Sequence, residues 1–133
     1  MIYPILDEVT LQKKIYETIS EIGIGVVFNQ PSADSAFPVF VMQTPLSTPR
    51  DLGAAWNITI TVEVWGNKHF DADGIELGVA DYFTLLKQKM LGINFQCTGQ
   101  TPMFTDVLTN KLRYGGFFET RWNAYDNTFE RTR

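Results

Sequence analysis

The chain has 133 residues, 44% hydrophobic and 20% charged, with ten Phe, five Tyr and three Trp. That is the size and composition of one folded domain with a real core, and it excludes disorder across the whole chain. A net charge of −4 argues against wrapping nucleic acid through phosphate contacts and does not exclude a surface that DNA slides past, because like charges prevent sticking.

Residues 5–22 read as a helix. Leu11, Ile15, Ile19 and Ile22 recur at helical spacing, and Lys13, Lys14, Glu17 and Glu21 lie off that stripe. Pro4 suits the first turn and Gly23 the C-terminal position. Residues 25–29 read as a short strand and 30–35 as a polar loop. Residues 37–43 are apolar on both parities, which predicts a strand covered on both faces, with Pro38 at its start or on an edge. Residues 44–55 hold Pro45 and Pro49 and read as a loop longer than most hairpin connections, suited to contact.

Residues 56–65 give the clearest strand. Trp56, Ile58, Ile60, Val62 and Val64 face one way, and Asn57, Thr59, Thr61 and Glu63 face the other. Residues 74–91 read as a second helix, with Ile75, Val79, Tyr82, Phe83, Leu86 and Met90 on its apolar face and Gly92 at its end. Residues 95–103 read as a strand and 105–111 as a connector. Residues 112–125 read as a last long strand bulged at Gly115-Gly116, and 126–133 as a loose tail. The order is α-β-β-β-α-β-β. It predicts a single α+β domain over residues 1–133, with two helices packed on a mostly antiparallel sheet.

The sharpest chemical candidate is His69 with Asp71 and Asp73, directly after the clearest strand. A zinc site needs three or four ligands, and the chain has one His. A calcium loop needs more oxygens at alternate positions and a closing Glu. The spacing is met instead by a strand-to-helix junction, with Asp73 as N-cap and Glu76 three residues on, as in a capping box. Cys97 is the only cysteine. It reads as a small buried thiol in a reducing compartment, with no CxxC partner. No serine stands in a G-x-S-x-G context, and no GxGxxG or P-loop is present. The mixture of Arg113, Tyr114, Phe117, Phe118, Arg121, Trp122 and Tyr125 suits base stacking on a single strand. It suits better a strand with aromatics in the core and arginines outward, because the basic excess there is small. The N-terminus lacks a basic segment followed by an apolar core, so no secretory signal is expected, and no apolar run reaches bilayer length. Catalytic residues, cofactors, metals and membrane contact are therefore not expected. The expectation is a domain that works by contact with other chains.

Three stretches carry a family resemblance: "LQKKIYETISEIGIGVVFNQ", "WNITITVEVWGNKHFDADGIELGVADYFTLLKQKML" and "KLRYGGFFETRWNAYDN". In order, length and texture, from residue 5 to residue 125, the chain resembles tail terminator (tail-completion, head-tail joining) proteins of long-tailed bacteriophages. The resemblance implies a virion protein of the tail and neck, present in host cytoplasm during assembly. It implies a hexameric ring that caps the tail tube, stops its polymerisation and presents a surface to the head connector. The major tail tube protein and the connector or stopper would then be partners, with genomic DNA passing through the lumen unread. It carries over no catalytic residue. Contacts are expected from the 45–55 loop and the 113–125 strand: Leu46, Arg50, Asp51, Leu52, Arg113, Arg121 and Trp122. Trp65 joins them, because it lies on the polar parity of its strand and Trp is favoured as an interface anchor. Two other readings stand beside this one: a head-completion or stopper protein of the neck, and a small α+β enzyme or ligand-binding domain using His69 or Cys97.

Overall fold

The computed structural model describes residues 6–32, 35–126 and 128–130, and all of their side chains except that of Asp51. The frame is a pair of antiparallel strands twelve residues long, β4 (Ala55–Gly66) and β7 (Leu112–Asn123), in register from Ala55↔Asn123 to Gly66↔Leu112. Strict alternation explains why they form: Ile58, Ile60, Val62 and Val64 of β4 and Phe118 and Trp122 of β7 all turn to one face and are buried there. On one side of β4, β2 (Val39–Met42) pairs antiparallel with its second half, and β3 (Leu46–Arg50) pairs antiparallel with its first half. β1 (Gly25–Phe28) pairs in parallel with β2 and forms the edge. Beyond β7 lie β5 (Gln96–Gln100), β6 (Phe104–Thr105) and β8 (Thr128–Glu130), each antiparallel to it.

Both helices lie on the face that carries the main core. α1 (Glu8–Ser20) starts where Asp7 accepts the Thr10 N–H at 3.1 Å, and it buries Leu11, Ile15 and Ile19. Gly23, at φ +105°, ends the turn that follows α1, as expected of a glycine there. The first-turn position of Pro4 lies outside the described residues. α2 (Val79–Gly92) buries Val79, Phe83, Leu86 and Met90 against β4, β5 and β7. Each such side chain, fully buried, stabilises the fold by about 1.5–3 kcal/mol. The α+β class with helices on a mostly antiparallel sheet is as the pattern predicts.

Several boundaries differ. The 44–55 loop is largely a hairpin: β3 folds back on β4 through a 3-10 turn at Asp51–Gly53. Pro49 concealed this strand, yet β3 is an edge, where a missing N–H breaks no ladder bond. α2 begins at Val79 rather than residue 74, and Ile75 is exposed. Asp73 is not the N-cap. Asp71 Oδ1 accepts the Asp73 and Ile75 N–H groups at 2.9 Å each, closing a turn, and Glu76 takes the Gly78 and Ala80 N–H groups at 2.9 Å. Acidic capping of the helix start is real, but Glu76 performs it. Gly92 is the last helical residue, and the left-handed position after α2 belongs to Asn94, at φ +68°. Part of the 105–111 connector is β6, and part of the loose tail is β8; residues 131–133 lie outside the described set.

The ladder runs unbroken through Gly115-Gly116, so no bulge lies there; the bulge is in β5, at Thr98. The two glycines serve close packing instead. A Cβ on Gly115 would sit 2.6 Å from the Val62 carbonyl oxygen and 2.7 Å from Glu63 Cγ. A Cβ on Gly116 would sit 2.9 Å from Phe83 Cζ. Gly115→Ala is therefore expected to destabilise the fold by about 1–3 kcal/mol through overpacking, read as a lower urea midpoint at unchanged m-value. An unchanged midpoint would mean that the strands do not approach so closely.

Candidate interaction surface

The eight expected contact residues fall into two groups at opposite ends of the β4–β7 ladder. A twelve-residue strand spans roughly 37 Å at ~3.4 Å per residue. At the end where β4 begins stand Leu46, Arg50, Asp51, Leu52, Arg121 and Trp122. At the other end stand Trp65 and Arg113, directly opposite one another in the register.

The first end is shaped by the β3–β4 hairpin. Leu46 faces Thr59 across the ladder and is 71% exposed. Arg50 ends β3 and is exposed; the Asp51 side chain lies outside the described residues. Leu52 sits in the turn at φ +58°, ψ +32°, and is 93% exposed. A bulky apolar side chain is held in a backbone region that normally goes to Gly or Asn. Trp56 fastens the turn from below, its indole N–H donating to the Gly53 carbonyl at 3.1 Å. Arg121 lies on the sheet face away from the helices, with its Nε 3.4 Å from a Glu130 carboxylate oxygen. Trp122 does not belong to this surface. It is wholly buried in the main core, edge-on to Phe129 with ring centroids 4.8 Å apart. Its parity in β7 turns it toward the helices, and Lys14 lies over its ring.

Trp65 is likewise supplied with burial by the fold itself. It is 6% exposed on the outer sheet face, packed with Val39, Val41, Val27 and Phe37. The Arg113 guanidinium lies 4.4 Å from the Trp65 ring centroid and 4.8 Å from that of Phe104. Arg113 donates to Glu63 at 2.8 Å and reaches Asp106 at 3.4 Å. Glu63, on the face opposite the apolar alternation with Asn57, Thr59 and Thr61, is buried. This cluster was not found from the sequence. Its only signal was that Glu63 and Arg113 fall on neighbouring ladder positions, and that needs the register of two strands 50 residues apart.

Asp106 also closes the turn between β6 and β7. It accepts the Thr109 N–H at 3.0 Å and the Thr109 hydroxyl at 2.9 Å. The Thr109 N–H first, then its hydroxyl, and then the Arg113 charge hold the Asp106 carboxyl below the usual range. That contribution is present above the unfolded-state value and is lost as pH falls through the folded one. The closed turn holds out Val107 and Leu108, 94% and 95% exposed. Lys68 donates to Asn110 at 2.9 Å and Lys111 to Asn67, which ties this turn to the 67–77 segment, where Phe70, Ile75 and Leu77 are exposed.

His69, Asp71 and Asp73 all lie in that segment, with the Asp71 carboxylate committed to the backbone. Among the described residues, no group of three His, Cys, Asp or Glu side chains is placed to hold a metal ion. Cys97 is half-buried on the helix side of β5, its thiol 3.3 Å from the Gly99 carbonyl oxygen. Among the described residues, no helix is long and apolar enough to cross a membrane.

Arg113→Gln leaves Glu63 buried without its charge partner. The expected loss is about 2 kcal/mol, below the range of a fully enclosed pair because Arg113 is 27% exposed. Adding Glu63→Gln should recover about 1 kcal/mol of it in chemical denaturation. Strictly additive losses would show that the two side chains do not act as a pair.

A search of protein-family models finds no match, and a search of curated proteins finds none. Among solved structures, the chain is similar to the bacteriophage SPP1 gp17 protein, at 20% identity over 91% of this chain and 93% of that one, with a TM-score of 0.44.

Proposed function

We propose that this chain is a non-catalytic structural protein of a phage tail and neck, acting as a tail terminator. In this reading, copies form a ring, hexameric as the family resemblance implies, on the end of the tail tube. The ring stops tube polymerisation and offers its far side to the head connector, and DNA passes through the lumen. Virion and, during assembly, host cytoplasm are its locations.

One observation supports the reading above the rest. Two fastened turns hold bulky apolar side chains almost wholly in solvent, Leu52 at one end of the long ladder and Val107-Leu108 at the other. Exposed apolar groups rimmed by polar ones mark contact sites. A protein joining a tube to a connector needs two docking surfaces pointing in opposite directions, and this frame offers them about 37 Å apart. His69 and Cys97, which the enzyme reading needs, stand in a backbone-closing turn and against the sheet core.

Electron microscopy of particles assembled without this chain tests the reading. Overlong tubes beside free filled heads are expected. Tails of normal length with unjoined or leaking heads would move the protein to the head side of the neck as a stopper. Normal virions would overturn both structural readings.

Leu52→Asp separates contact from folding. It should change stability by less than about 0.5 kcal/mol, since the side chain touches little of its own chain. It should also abolish tube capping in a complementation assay. Wild-type capping would remove the β3–β4 turn from the contact surface.

A further inference from the structure

The ends of the ladder leave the lateral contacts of such a ring unassigned. We propose that neighbouring copies join edge to edge, the free side of β1 on one copy pairing antiparallel with the free side of β5 on the next. The proposal rests on the ring reading and adds the surface that builds the ring.

Among the described residues, β1 and β5 end the strand path β1-β2-β4-β7-β5 and have no strand on their outer sides. A free edge is a template for another strand, and proteins guard it with charge, proline or shortness. The other edges here are guarded: β3 carries Pro49 and Arg50, β6 has two residues, and β8 ends in Glu130. Neither β1, Gly-Val-Val-Phe, nor β5, Gln-Cys-Thr-Gly-Gln, contains a charged residue or a proline. The Thr98 bulge shortens the regular part of β5 without charging it.

The backbone groups match. Asn29 donates its N–H to Met42 of β2 at 3.1 Å, so by alternation Val26 and Phe28 present their N–H groups to the free side, where the Phe28 carbonyl already accepts the Gln30 N–H at 2.8 Å and the Val26 carbonyl is the acceptor left. Thr101 donates its N–H to Gly115 of β7 at 2.9 Å, so Gln100 faces away from β7, and across the Thr98 bulge the parity shifts and Gln96, opposite Glu119, faces toward it. The polarities match too. β5 runs with β4, because both are antiparallel to β7; β1 runs against β4, because it is parallel to β2. Two copies related by rotation about an axis along the strands therefore bring β1 and β5 together antiparallel. The two edges lie on opposite sides of the sheet, about 19 Å apart at ~4.8 Å per strand. That is the heterologous arrangement that closes into rings. A two-fold β1–β1 pairing would leave every β5 edge bare. Beside β1, a groove of about 310 Å³ lined by Val9, Gln12, Lys13, Tyr16 and Phe28 runs along the helix layer, and the incoming strand would cover its open side.

The test uses Val26→Pro and Gln100→Pro. Each removes an outward N–H on an edge strand and no backbone ladder bond; Gln100→Pro also removes the exposed bond from the Tyr114 hydroxyl to Gln100 at 2.8 Å, and thermal unfolding should move by no more than about 5 °C. In sedimentation, the wild type should self-associate with concentration, and each variant alone should be monomeric. An equimolar mixture should stop at a heterodimer, since only one compatible pair of edges remains. Association of either variant as in the wild type would overturn edge pairing and leave the ring reading standing. A Gln100→Pro dimer beside a Val26→Pro monomer would overturn it in favour of the two-fold arrangement. A wild type monomeric at every concentration and on tube ends would overturn both. If a proline variant does not fold, amide exchange of the wild type decides. Exchange at Val26 and Gln100 should slow by about tenfold or more on assembly, and unchanged exchange at both would overturn the proposal.

Discussion

Everything in this molecule hangs on the register between β4 and β7. Twelve consecutive pairs fix which side chains share a face, and a slip of one residue would turn Ile58, Ile60, Val62 and Val64 into solvent. Two adjacent glycines let the ladder serve both faces at one point. Gly116 leaves room on the helix side for the Phe83 ring, which therefore sits directly on the β7 backbone. Gly115 leaves room on the outer side for the stem of Glu63. Consecutive residues in a strand point oppositely, so a Gly-Gly step is how one strand admits a helix on one face and a buried carboxylate on the other.

The outer face follows from that opening. Glu63 lies flat across Gly115 and meets Arg113, whose guanidinium is held between the Trp65 and Phe104 rings. The planar cation closes a patch too small to bury by apolar packing alone: Val39, Val41 and Trp65, with Val27 and Phe37 beside them. Through Asp106 the same arginine reaches the β6–β7 turn, so the exposed Val107-Leu108 pair stands on an anchored support. The opposite turn is anchored separately, by the Trp56 indole under Gly53. Side chains held out by anchored turns lose little further freedom on binding, which favours contact over mere exposure.

The alternation of Trp56 to Val64 was legible in the sequence because one face of β4 carries only apolar side chains there and the other carries polar ones, even though Glu63 on that second face is buried. The α1 stripe was legible because its period is helical. The β3 strand was not, since Pro49 and Arg50 are the very residues that make it a safe edge and they read as loop. Asp73 was misread as a cap because the sequence shows which acids stand before a helix but not which backbone N–H each can reach; Glu76 reaches them. Trp65 and Trp122 were read as contact anchors from residue type, yet parity settles Trp122 and the Arg113 stack settles Trp65. Leu46, Arg50 and Leu52 are exposed, since a segment bounded by turn residues is not buried on both sides. The Glu63–Arg113 pair depended on long-range register, which no local pattern carries.

The short length of the two bare edges fits assembly on a template. β1 has four residues and β5 has a bulge, so one edge pair offers only a few hydrogen bonds, each adding about 0.5–1.5 kcal/mol net. Against the entropy of bringing two free chains together, such a contact would be weak, and on the proposed reading dilute copies would stay apart. In a ring every copy has both edges filled, and the last contact closes within one assembly, where the effective concentration is high. On the proposed reading, a tube end that grips the turn at one pole of each copy would hold the edges side by side before they pair. In the proposed ring, weak edges and exposed end turns would belong to one design, the end contacts supplying the concentration that the lateral contacts lack.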